Sequence, residues 1–99
     1  MAVIVHVVLR GVTQEEYDQV RAEVGWLEQV PDGGLAHLTW REGEDNHNID
    51  SWESEEAFNT FGAERLGPAM AKLGLNVQPE VTFHPAHEVF TPRELRLTR

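Results

Sequence analysis

A chain of 99 residues is a single domain, and the absence of cysteine removes disulfides and thiolate metal sites, leaving packing and self-association to stabilise it. A net charge of −9 repels phosphate backbones and argues against nucleic acid as a partner. No stretch approaches the roughly 20 apolar residues that span a bilayer, and the N-terminus lacks the basic start and apolar core of a secretion signal, so no membrane partner and a cytoplasmic location are expected.

The first element is the run Val-Ile-Val-His-Val-Val-Leu at 3–9. It is β-branched and almost wholly apolar, the pattern of a central strand buried on both faces. Gly11 breaks it. Thr13 and Glu16 then form a capping box, in which hydroxyl and carboxylate each satisfy a backbone N–H at the start of a helix. Tyr17, Val20, Val24 and Leu27 recur at helical spacing and give that helix one apolar stripe. Pro31-Asp32-Gly33-Gly34 is a loop.

Strands are expected at 35–41 and 46–53, joined through Glu42-Gly43-Glu44-Asp45 as a hairpin. Ser54 is the expected N-cap of a second helix, with Glu55 and Glu56 in the first turn where the helix dipole favours acids. Ala57, Phe58, Phe61, Arg65 and Leu66 continue this helix. Gly67 is expected to end it, and Pro68 to start a further short turn that Gly74 closes. Val81 to Phe90 reads as a fourth strand, with Pro85 restricting it to a sheet edge or a bulge. Residues 1–92 thus make the domain. Residues 93–99 form a basic tail that holds Arg93, Arg96 and Arg99, either as a solvated end or as an arm for an acidic partner surface.

The order β-α-β-β-α-β is the ferredoxin-like pattern of the α+β class, with both helices on one face of an antiparallel sheet. The other sheet face is bare in a monomer, so a homodimer is expected. If the hairpin loop sets the register, Arg41 faces Asn46 and His37 lies opposite Asp50, about 5 Å apart at Cβ. An aspartate beside an imidazole fixes its tautomer and supports it as a general base. Trp52 points to the same side as Asp50, and Tyr17 and Phe61 lie on the helix stripes that roof this face. A base, its orienter and aromatic walls suit a small aromatic molecule. Trp26 and Trp40 read as packing residues. His84 and His87 are three apart, which on a regular strand puts them on opposite faces, and no histidine spacing matches a known metal motif. No native metal site is expected, and no nucleotide or flavin motif is present.

Ile49-Asp50-Ser51-Trp52-Glu53-Ser54, Ala57-Phe58 and Glu64-Arg65-Leu66-Gly67-Pro68 resemble the dimeric α+β-barrel superfamily. The closer resemblance is to small bacterial proteins grouped with antibiotic-biosynthesis monooxygenase domains, and it covers about residues 3–90. It implies a dimeric barrel and a cofactor-independent monooxygenase acting on an aromatic or polyketide-like substrate. It places His37 and Asp50 in the catalytic pair and adds His87 to Trp52, Tyr17 and Phe61 for substrate binding. His84-Pro85-Ala86-His87 is similar to a motif of the plant cyclase branch. Here it follows Val81-Thr82-Phe83 on a strand, so no cyclase role is carried over. The same residues admit a second reading, a non-catalytic dimer that binds a small molecule or a metal ion in this pocket, and a third, a structural dimer module.

Overall fold

The computed structural model describes residues 1–91, so the basic tail at 93–99 lies outside the described residues. The elements are β1 (Val3–Leu9), α1 (Gln14–Val24), β2 (Gly34–Glu42), β3 (Asp45–Trp52), α2 (Glu55–Phe61), a π-helical turn (Gly62–Leu66), α3 (Gly67–Lys72) and β4 (Glu80–Pro85). The strands form one antiparallel sheet in the order β2-β3-β1-β4. This is the ferredoxin-like arrangement, with the helices on one face of the sheet.

Local chemistry accounts for most boundaries. The Thr13 hydroxyl accepts from the Glu16 N–H at 3.1 Å, and the Thr13 N–H donates to the Glu16 carboxylate at 2.9 Å. Ser54 caps α2 by accepting from the Ala57 N–H at 3.0 Å. Gly25 stops α1 in the left-handed region, at φ 64. The apolar stripe of α1 therefore ends at Val24, and Leu27, expected on it, is 41% exposed in the following strap. Gly43, at φ 63, makes the first central residue of a two-residue hairpin turn, a position that favours glycine. The strands accordingly reach Glu42 and Asp45, one residue further on each side than the sequence pattern suggests.

Two expectations need correction. Gly67 does not end the second helix. It keeps a right-handed helical backbone, and its N–H reaches back five residues to the Gly62 carbonyl. The extra residue in this π turn spreads the preceding carbonyls, so the chain continues through Pro68 where a regular helix would clash. A Cβ at position 67 would stand 3.0 Å from the Gly62 oxygen, which explains the glycine. The fourth strand ends at Pro85 rather than Phe90. β4 pairs only with β1, Pro85 lies opposite Val3, and one further bond links the Ala86 N–H to the Ala2 carbonyl. Beyond that the described residues have no strand alongside.

Register decides what each sheet face carries. Val3, Val5, Val7 and Leu9 of β1 point to the helices and form the core with Val12, Val20, Trp52, Phe58, Phe61 and Met70. Phe83 of β4 stands on the same face and meets Phe58 edge-on. The intervening residues Ile4, His6 and Val8 share the opposite, open face with Leu38, Trp40, His47 and Ile49. There Leu38 is 63% and Trp40 39% exposed.

Candidate functional site

The helix-covered face of β3 presents Asn46, Asn48, Asp50 and Trp52 in alternation. These positions point to the core, yet three of the four are polar. On β2, His37 stands opposite Asp50 and Arg41 opposite Asn46, the register that the hairpin arithmetic predicts. A bulge between Gly34 and Ala36 shifts the register only beyond this pair, so it does not separate His37 from Asp50.

Four side chains join into one hydrogen-bonded chain. His37 Nδ1 lies 2.6 Å from Asp50 Oδ1. The other carboxylate oxygen accepts the Trp52 indole N–H at 3.2 Å. His37 Nε2 lies 2.7 Å from the Tyr17 hydroxyl, which α1 brings across from the helical layer. Asp50 is 5% exposed and Trp52 1%. A carboxylate only accepts, so Nδ1 carries the hydrogen of the His37–Asp50 bond. In the neutral imidazole Nε2 is then an acceptor, and the Tyr17 O–H donates to it. Burial pushes the Tyr17 phenol up to about 12, and the nearby Asp50 charge acts in the same direction. Tyr17 therefore holds its proton at neutral pH, poised against a histidine nitrogen that can accept it.

Aromatic rings close around this chain. Trp26 meets the His37 ring edge-on with centroids 3.8 Å apart. Phe61 packs on Trp26 at 6.2 Å and on Trp52 at 5.1 Å. A partly open cavity of about 50 Å³ beside this chain is lined by Tyr17, Arg21, His37, Asn48, Asp50 and Trp26, with Phe58, Phe61, Leu66 and aliphatic side chains of β1 and α1. A wider surface groove of about 380 Å³ lies beyond Phe61, between the 30–33 loop and α2. Its charged lining is mainly acidic and holds no histidine, so the His37–Asp50 pair faces the smaller cavity alone of the two.

Of the residues singled out from sequence, the structure brings together His37, Asp50, Trp52, Tyr17 and Phe61. It does not bring His87 to them. That residue is exposed beyond β4, which occupies the sheet edge opposite β2. The resemblance placed it near the end of a fourth strand, and that strand stops at Pro85. Trp26 and Asn48 belong to the cavity and were not expected there. Asn48 had a readable signal: polar residues at every second position of β3, on the face that should pack under helices. Trp26 had none beyond lying next to a helix-ending glycine. Among the described residues no group of three or more histidine, aspartate or glutamate side chains is placed to hold a metal ion. No described helix is long and apolar enough to cross a membrane.

No protein-family model and no curated protein matches the sequence. Solved structures do. The cofactor-independent oxygenase SnoaB of Streptomyces nogalater superposes with a TM-score of 0.63 at 20% identity, over 93% of this chain and 97% of its own. A Deinococcus radiodurans protein named provisionally as an antibiotic biosynthesis monooxygenase gives 0.61 at 18% identity, over 95% and 100%. NE2512 of Nitrosomonas europaea, of unknown function, gives 0.71 at 12% identity, over 94% and 96%. At these identities the likeness shows the fold: this chain shares the ferredoxin-like α+β architecture of these structures.

Proposed function

We propose that the protein is a cofactor-independent monooxygenase acting on an aromatic, polyketide-like substrate as a homodimer. The observation that carries this reading is the continuous Tyr17–His37–Asp50 chain, with contacts of 2.7 and 2.6 Å, beneath an aromatic cover. The fold shared with SnoaB supports it, although a fold alone assigns no activity.

The chain moves a proton in one direction. A substrate hydroxyl bonded to the Tyr17 oxygen gives up its proton as the Tyr17 proton passes to His37 Nε2. Asp50, already bonded at Nδ1, offsets the positive charge that then appears on the ring. The raised phenol pKa suits this relay, since Tyr17 never stands as a free phenolate. Asn48 lines the cavity and is largely buried, and its amide offers a donor to a substrate oxygen. The substrate anion transfers one electron to dioxygen, and the resulting radical and superoxide combine at carbon as a peroxide. Loss of water from the protonated peroxide leaves a quinone, so one oxygen atom enters the product and the other leaves in water. The protein supplies the base, the shape and the exclusion of bulk water.

Self-association follows from the open sheet face. Ile4, Val8, Leu38, Trp40 and Ile49 place apolar surface there, and a second copy would bury it.

The test is oxygen uptake by chelator-treated protein with a hydroxylated anthrone and no added flavin or metal. The expected result is saturable uptake with formation of the anthraquinone, slowed about 10²–10⁴-fold in His37→Ala. Uptake no faster than without protein contradicts an oxygenase. Anthrone binding without uptake would favour the alternative, a non-catalytic small-molecule-binding dimer using the same pocket.

A further inference from the structure

A cavity of about 50 Å³ is far below the roughly 300 Å³ at which small-molecule sites begin. What fills the remaining space over His37 is the Trp26 indole, 3.8 Å from the imidazole and stacked at 24° on Phe61. The other tryptophan at the site is fixed differently. Trp52 is tied to Asp50 through its N–H, whereas none of the side-chain hydrogen bonds among the described residues involves Trp26. Ring packing alone holds it.

The backbone that carries Trp26 is loosely tied as well. Glu28 and Gln29 donate to the Gly25 carbonyl at 3.1 and 2.9 Å, so the turn bonds only to itself. Among the described residues no backbone hydrogen bond joins 26–30 to the sheet or to α2, and the first bond to the sheet is the Gly34 N–H to the Pro31 carbonyl at 3.0 Å. The strap is pinned at its far end, where the Gly33 carbonyl accepts from the Glu53 N–H at 2.8 Å. A Cβ on Gly33 would stand 2.7 Å from the Ala57 Cβ, so that end is wedged against the helix. At the near end Gly25 has φ 64 and no neighbour closer than 3.8 Å to a Cβ built on it. One end is locked, and at the other Gly25 is the hinge, following Val24, whose carbonyl accepts from Arg65 Nη2 at 2.8 Å.

We propose that Trp26 is a displaceable plug occupying the place of the ligand, and that the ligand is a planar hydroxylated aromatic whose ring replaces the indole against His37 and Phe61. This rests on the aromatic-ligand reading above and adds how the site is opened and what shape it accepts. The surfaces the indole leaves, an imidazole and a phenyl face with aliphatic side chains around them, are complementary to another flat ring. A hydroxyl on that ring reaches the polar floor at Tyr17 and Asn48. Because only the open form binds, the apparent affinity is the intrinsic affinity reduced by the open fraction. Removing the plug removes that reduction.

The experiment titrates 1-naphthol calorimetrically into the full chain and into Trp26→Ala, and follows solvent exchange of the tryptophan indole N–H groups by NMR in the unsubstituted protein. The expected result is at least tenfold tighter binding by Trp26→Ala. On saturation of the unsubstituted protein, the Trp26 N–H should exchange faster while the Trp52 N–H keeps its protection. Equal or weaker binding by a folded Trp26→Ala makes Trp26 a wall of the site and overturns the plug, leaving the aromatic reading intact. If that variant does not fold, unchanged or slower exchange at Trp26 on saturation overturns the plug by itself. No binding of 1-naphthol to either protein overturns the aromatic reading and the plug together.

Discussion

On the helix-covered face of the sheet, His37 holds a buried carboxylate at 2.6 Å and a tyrosine hydroxyl at 2.7 Å. On the open face, His6 Nε2 and His47 Nδ1 face each other at 3.1 Å, with Trp40 stacked 4.9 Å from His47. Both are histidine pairings between neighbouring strands, and β3 supplies a partner to each. The first has a fixed direction, because a carboxylate only accepts and so sets which nitrogen carries the proton. The second has none, because either imidazole can donate and the bond exists only while one of them is a neutral acceptor. A proton entering the first pair gives a cation beside an anion. A proton entering the second finds, among the described residues, no carboxylate in hydrogen-bond contact, and Glu42 stands 3.9 Å from His47. A single step along β3, from His47 to Asn48 or from Ile49 to Asp50, decides which face a side chain serves. The covered face thus carries a histidine paired with a carboxylate, and the open face a histidine pair among exposed apolar side chains.

The largest effect that separates the faces is in stability. Phe58→Ala or Phe61→Ala should each cost about 3–5 kcal/mol in chemical denaturation, since both rings are buried under the helices. Losses under about 1 kcal/mol would mean that the covered face is not the core. Association should show the opposite pattern. Leu38→Asp, at an exposed site on the open face, should convert a sedimenting dimer to monomer while the helix-face residues keep their NMR environments. An unsubstituted protein that sediments as a stable monomer would remove the open face from the account.

A smaller effect is confined to alkaline pH. Tyr17 is the only tyrosine, so its ionisation can be followed alone by tyrosinate absorbance. Its pKa rises from 10.0 to about 12 in the folded protein. The folded state therefore keeps a proton that the unfolded chain releases. The associated stability is fully present below about 10 and is lost as pH rises through about 12. Titration near 10 in the folded protein would show that the hydroxyl is not buried against His37.

How far these features were legible from sequence follows from how local their causes are. The Thr13–Glu16 box, the Ser54 cap and the turn at Gly43 each depend on a few adjacent residues, and the turn sets the hairpin register that puts His37 beside Asp50. The Tyr17–His37 bond was not readable at that precision. Sequence placed Tyr17 above the same face, but a 2.7 Å contact between layers depends on the depth and rotation of α1. Trp26 reaches His37 only because Gly25 turns the chain back over the sheet, and nothing in the spacing carries that path. Gly67-Pro68 carried a stop signal that the π turn overrides. The resemblance put His87 near the end of a fourth strand, whose length is set by where β1 ceases to offer a partner.

The central claim is the direction of the covered pair, and nitrogen-15 NMR of the His37 ring measures it. At a pH where the imidazole is neutral, the account predicts that Nδ1 carries the proton, coupled to Asp50, and that Nε2 is the bare acceptor of the Tyr17 hydroxyl. Asp50→Asn, which keeps the shape but removes the charge, should weaken the hydrogen bond at Nδ1 and move the Nδ1–H proton resonance upfield. A proton on Nε2 in the neutral ring, or an Nδ1–H resonance at the same position in the two proteins, would contradict the pairing and with it the proton relay.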